Sequence, residues 1–254
     1  MAQRKAKRRK RQSRRGFVLA VCAVLVFAGL LVASAGLFFK ITEVRVEGVS
    51  VINPDSVREQ SEIKIESNIF LLDKFAVSRK IFASFPYAKE VTIRRRLPNV
   101  VVIEITEAEP ACAFSFQGYY WVTDRDGRIL ERIAAVGQPG YPIVSGVAPL
   151  EPQVGADAVF SEDQRDKQYA LYPLIAALEA HEMLGKVTSI DLTQSYAATF
   201  MYEDTLEVRI GMPDDIDYKI GFITYALEQL EPGKRAILDV SDVRAGNAIL
   251  IPED

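Results

Sequence analysis

The sequence predicts an α+β chain: a single N-terminal transmembrane helix, then a β-α-α-β-β module, then a β-rich domain with flanking helices. Three observations lead there. A basic tail runs into an unbroken uncharged stretch. Beyond it, apolar residues alternate at a period of two or recur at spacings of three and four, in a fixed order. Proline, asparagine and glycine punctuate those runs where caps and turns need them.

Nine Lys/Arg and no acid fall within residues 1–15, and residues 16–39 carry no charge. Crossing a hydrocarbon core takes about 20 apolar residues; Phe17 to Phe39 supplies 23, with Ser34 as the polar interruption. Lys and Arg stay on the cytoplasmic side. The expected layout is therefore a basic cytoplasmic tail over 1–15 with Arg14 and Arg15 setting topology. A membrane anchor follows over 16–39, bounded by Phe17 and Phe39, and everything beyond Lys40 lies outside. A cleaved signal peptide is the alternative, because Ala33-Ser34-Ala35 resembles a cleavage site; against it, signal cores run about 7 to 15 residues.

The whole chain has 31 Lys/Arg and 34 Asp/Glu, so removing the nine bases of the tail leaves 22 against 34, a net charge of −12. Such a surface excludes nucleic acid as the ligand of the outer part. The tail needs no role beyond topology. Cys22 in the span and Cys112 beyond it cannot bridge, so no disulfide framework is expected. The 214 residues after Lys40 suffice for one large domain or two modest ones.

Strand alternation starts at once, with Val44 and Val46 inward and Glu43, Arg45 and Glu47 outward in Ile41–Val49. Asn53-Pro54 then reads as a helix cap followed by proline at the first helical position, starting a short helix to about Gln60. Leu71, Phe75, Ser78, Phe82 and Phe85 recur at four and three, predicting the inward stripe of a second helix that Pro86 ends. Ala88–Leu97 and Val100–Glu107 alternate and join through Leu97-Pro98-Asn99, a β-hairpin with Arg94 and Arg96 facing Glu104 or Thr106.

This order, directly after a single span, resembles the POTRA module of the FtsQ/DivIB family of bacterial cell-division proteins. The likeness is carried by Ile41-Thr-Glu-Val-Arg-Val-Glu-Gly48, by Asn68-Ile-Phe-Leu-Leu-Asp73, and by Pro86-Tyr-Ala-Lys-Glu-Val-Thr-Ile-Arg-Arg-Arg-Leu-Pro-Asn-Val100 leading into Val101–Pro110. It continues at Tyr120-Trp-Val-Thr-Asp-Arg-Asp-Gly-Arg-Ile-Leu130 and Tyr141-Pro-Ile-Val-Ser-Gly146. The resemblance implies a POTRA domain over 41–109 and an FtsQ/DivIB-type β-domain over 110–254.

Within the second domain, Asp124-Arg-Asp-Gly127 reads as a turn between strands with glycine in the left-handed position. It lacks the further ligands of a calcium loop. A polar start at Ser161 leads into a helix with Leu171, Ile175 and Leu178 on one face, Pro173 kinking or splitting it, and Gly185 as its expected cap. Strands follow at Val187–Leu192, Ala197–Tyr202 and Thr205–Ile210. Asp214 then caps a helix with Ile216, Ile220, Ile223, Leu227 and Leu230 along one stripe, which Pro232-Gly233 ends. Arg235–Val240 and Ala248–Ile251, around Gly246-Asn247, form a terminal hairpin.

Enzymatic chemistry finds little support. The single histidine, His181, sits near a helix end, where it complements the dipole. Nucleophile elbows, penicillin-binding motifs and phosphate loops are missing. No catalytic residue, metal ligand, cofactor or small-molecule substrate is expected. Tyr119-Tyr120-Trp121 reads as strand core, with a glycan platform as the alternative.

What remains is a bitopic scaffold with exposed strand edges, to which a partner segment can add a strand. The resemblance implies that the last strands receive membrane-proximal segments of two small single-span partners, FtsB/DivIC-like and FtsL-like, and that the protein acts at the division septum. The candidate partner-binding residues are Asp239, Val240, Asp242, Val243, Arg244, Gly246, Asn247, Ala248, Ile249 and Ile251. Against the family's Asp-Leu-Arg-Tyr strand, Asp239 and Gly246 agree, whereas Ser241 and Asp242 depart. A core-closing hairpin is the plain alternative for this segment. For the whole chain, a POTRA-containing accessory of secretion or membrane-protein assembly is a further one, and a wall-binding or wall-modifying protein another.

Overall fold

The computed structural model of the chain describes residues 16–29, 38–194, 197–229, 233, 235–243 and 247–252. They divide into two compact units, one comprising Met1–Phe82 with Glu90–Thr106, the other Ala83–Lys89 with Glu107–Asp254.

Residues 16–29 form helix α1, whose described side chains are all exposed. The rest of the expected span, 30–37, and the basic tail with Arg14 and Arg15 lie outside the described residues. Among the described residues no helix is long and apolar enough to cross a membrane.

The first unit then follows the expected order. Strand β1 (Glu43–Glu47) pairs in parallel with β3 (Val100–Glu107), and β2 (Ala88–Arg96) lies on the other side of β3, giving the order β1-β3-β2. Helix α2 (Pro54–Ser61) starts where Asn53 Oδ1 accepts from the backbone N–H groups of Asp55 and Ser56. This relieves two of the first-turn donors that a helix leaves unpaired. Arg94 meets Glu104 across the hairpin at 2.8 Å. Both are well exposed, so the pair contributes at most about 1 kcal/mol.

Helix α3 (Lys74–Ser84) departs from the expected orientation. Val77 and Ile81 are its buried residues, while Leu71 and Phe75 are 85 % and 82 % exposed and Phe82 is exposed too. Two stripes of large residues run along this helix. The β-branched pair is buried, as are Ile69, Ile93 and Ile103 of the same unit, while Leu71, Phe75 and Phe82 are left exposed.

The second unit is built on one nine-stranded sheet, in the order β12-β11-β10-β9-β8-β7-β4-β5-β6. Its strands are β4 (Pro110–Phe116), β5 (Tyr119–Asp124), β6 (Ile129–Ala134), β7 (Ile143–Ser145), β8 (Val187–Asp191), β9 (Ala198–Tyr202), β10 (Leu206–Gly211), β11 (Ala236–Asp242) and β12 (Asn247–Pro252). Helices α4 (Arg165–Ala180) and α5 (Ile216–Leu227) pack on it through one core that holds Phe114, Phe200, Leu171, Leu174, Ile175, Ile220 and Ile223. Each such side chain contributes about 1.5–3 kcal/mol of burial.

The Asp124 turn forms as expected. Gly127 takes φ +90°, its N–H donates to Asp124 O, and Asp124 Oδ1 accepts from the N–H groups of Asp126 and Arg128. Pro173 stays within one continuous α4 and does not split it. Two expected caps are displaced. His181 caps α4 and Gly185 lies beyond, in a 3-10 turn with no left-handed φ. Asp215, not Asp214, stands at the α5 cap position, because Asp214 is drawn to the buried Lys219 Nζ at 2.6 Å. Strand β4 was not legible as a strand, since Ala111 to Phe114 are all buried and so show no alternation.

Gly48 tests the first unit. Its φ is +81°, and a Cβ there would overlap the carbonyl oxygen of Ile105 on β3. Gly48→Ala should therefore destabilise the unit by about 2 kcal/mol or more, read as a lowered urea midpoint with far-UV circular dichroism.

Candidate functional site

A sheet of nine open strands must end twice, and β12 is one end. It is held from one side by antiparallel pairing to β11, with Ile237 opposite Ile251, Leu238 opposite Leu250 and Asp239 opposite Ile249. Strand β11 is in turn parallel to β10, which requires the crossover supplied by α5.

Residues 248–252 are exposed on both faces of β12. Directly opposed residues share a face, so Leu250 lies on the face of buried Leu238, and Ile249 and Ile251 on the other. Soluble edges are ordinarily blunted by Lys, bulges or a covering element. Here Ile249, Leu250 and Ile251 are 55 %, 43 % and 43 % exposed in succession.

The candidate residues divide by position. Ile249 and Ile251 lie on the exposed edge, as does Ala248, and the strand begins at Asn247. Val240 and Val243 are buried in the sheet core, so their side chains hold the edge in place and do not line it. Asp239 Oδ1 accepts from Ser241 N at 2.9 Å and Ser241 Oγ at 2.6 Å, closing a local turn where the β11–β12 register shifts before Asp242. Arg244 and Gly246 lie outside the described residues. Leu250 is absent from the expected set although it shares the edge; two-face exposure of a strand is not visible in alternation.

Gly211 shapes the approach to this edge. It ends β10 at φ +72°, and a Cβ there would press on Ser241 Cβ. The departure of β11 beside β10 thus depends on a missing side chain.

Other chemistry in the described residues is sparse. No group of three or more His, Cys, Asp or Glu there could hold a metal ion. His181 Nε2 lies 3.3 Å from Asp217 Oδ1, joining the end of α4 to the start of α5. Trp121 is buried in a small cluster with Ile129 and Ala158, its Nε1 donating to Phe116 O at 3.4 Å. Arg132 lies 4.5 Å from the centre of the Tyr119 ring and 5.5 Å from that of Trp121, so this aromatic group is occupied by its own chain.

Cys112 is fully buried, its Sγ 3.2 Å from Thr123 Oγ1, and burial pushes the thiol up to about 12. A thiolate is the reactive form. Cys112 should therefore resist iodoacetamide at pH 8 in the folded chain and react fully in denaturant, as read by intact-mass spectrometry.

Residues 39–108 match the family described as POTRA domain, FtsQ-type. The cell division protein DivIB of Clostridium acetobutylicum is 25 % identical over 205 residues, 80 % of each chain. FtsQ of Syntrophotalea carbinolica is 25 % identical over 235 residues, 92 % of this chain and 80 % of that one. FtsQ of Corynebacterium glutamicum is 33 % identical over 129 residues, 51 % of this chain and 57 % of that one.

Proposed function

We propose, from the premise that this chain is a relative of the FtsQ and DivIB cell-division proteins and carries an FtsQ-type POTRA domain, that it is a non-enzymatic single-pass scaffold of the bacterial division machinery. Its amino terminus is cytoplasmic and both units lie outside the membrane, at the division septum. The outer β-domain binds FtsB/DivIC-like and FtsL-like single-span partners and through them regulates septal wall synthesis.

One observation carries this reading: β12 is an apolar edge strand, exposed on both faces and paired on one side. A partner strand added there gains main-chain hydrogen bonds of about 1 kcal/mol net each. The two rows of Ile249 with Ile251 and of Leu250 supply side-chain recognition on opposite faces. The departures at Ser241 and Asp242 from the family pattern do not weaken backbone augmentation. The anchor is supported by helix α1, which presents Phe17, Val18, Leu19, Leu25 and Phe27 outward, and by the basic residues before it.

A photo-crosslinking residue at Ile251, exposed on the same face as Ile249, should capture small single-span division proteins in living cells. Consecutive N–H groups on a strand point to opposite sides, so Ile249→Pro and Leu250→Pro separate the two edges of β12. One variant removes an outward donor and should weaken capture about tenfold, the equivalent of roughly 1.4 kcal/mol, with circular dichroism unchanged. Undiminished capture by both folded variants would sink the proposal.

A further inference from the structure

The aromatic stripe that the first unit leaves outside is continuous with the end of the anchor. Phe70 and Leu71 follow buried Ile69 in a 3-10 turn, and Phe75 begins the outer face of α3. All three are more than half exposed, Phe70 at 51 %. Three such side chains within six residues exceed the scattered singles of an ordinary surface.

The turn is rigid. Asn68 Oδ1 accepts from Phe70 N at 2.8 Å, and Arg95 Nη2 donates to the carbonyls of Phe70 at 3.3 Å and Leu72 at 2.8 Å. It is also tied to the point where the chain leaves the anchor. Ile69 N donates to Phe39 O at 2.8 Å, Lys40 bridges Asn68, and Ile41 N donates to Ser67 O at 2.8 Å. The Phe39 and Phe70 rings meet edge-on with centroids 5.0 Å apart.

We propose that the Ile69–Leu71 turn and the first turn of α3 dock into the lipid headgroup region, seating the first unit on the bilayer through Phe70, Leu71 and Phe75. The inference rests on the anchor reading above. The headgroup layer is about 5 to 8 Å deep on each side of the hydrocarbon. A ring 5.0 Å from Phe39, the last residue of the apolar run, stays within that depth. Charge fits the same occupant: Lys74 precedes Phe75, and Arg79 follows it one helical turn on, cations that suit lipid phosphates. Amphipathic elements of this kind bury their apolar side about 5–10 Å at the interface. With Val77 and Ile81 buried, Phe75 can serve this use without loss of core.

The test uses the full chain in vesicles of phosphatidylethanolamine and phosphatidylglycerol, with an environment-sensitive fluorophore on single cysteines in a Cys22→Ser background. Buried Cys112 stays unlabelled. Leu71→Cys reports the docking surface, Phe27→Cys the anchor, and Val136→Cys, on the second unit, an aqueous reference. Docking predicts a blue shift and several-fold rise in emission at position 71, quenched by headgroup nitroxide lipid, and a loss of both when Phe75→Ser is added. A label at 27 quenched by acyl-chain nitroxide, with position 71 behaving like position 136, overturns docking and leaves the anchor standing. A label at 27 that no lipid nitroxide quenches overturns the anchor and docking with it.

Discussion

Every backbone donor and acceptor in a sheet needs a partner, and an open sheet cannot supply one to its last strand. That constraint organises the second unit. The seven inner strands, from β5 to β11 across the sheet, are paired on both sides, and the deficit falls on the two end strands, β6 and, beyond β11, β12. Elsewhere in proteins the deficit is hidden under a helix or repelled with lysine. At β12 it coincides with three large apolar residues in a row, so hydrogen-bonding capacity and hydrophobic surface are offered at one place.

Support for that edge comes from residues that do not line it. Val240 and Val243 anchor β11 and its end in the core shared with α4 and α5. Lys219, almost fully buried, donates to the carbonyls of Ile210 and Met212 and to Asp214, fixing the end of β10 to the start of α5. A buried ammonium needs such full pairing. Gly211 leaves room for Ser241 at the same corner. The crossover that brings β11 into parallel register is thereby fixed where it leaves β10.

Much of this was legible in the residues. Asn53-Pro54, the alternation in Ala88–Arg96 and Val100–Glu107, and the glycine turn after Asp124 each report a local rule, and local rules survive folding. The departures from the sequence have separate physical reasons. Where two apolar stripes compete, as Val77 and Ile81 do with Phe75 and Phe82, periodicity identifies the helix but not the side that faces the sheet. Where a strand is buried on both faces, as at Ala111–Phe114, there is no alternation to read. At the candidate site the hairpin was visible, but the division between edge and core was not. That division depends on how far α4 and α5 reach across the sheet, a tertiary fact.

Strand β12 also has a thermodynamic character of its own. It is held from one side and covered on neither face, so it belongs to the low end of local opening free energies in this unit. If a partner adds a strand there as proposed, recognition and ordering become a single equilibrium: the partner would see only the fraction of molecules in which β12 is laid down, and its apparent affinity would be reduced by that fraction. Under that proposal, substitutions on the β11 side that favour the closed hairpin would tighten association from behind the edge. On the proposed function, the population of the closed hairpin would set how much of the edge is available for assembly, adjustable from within the sheet.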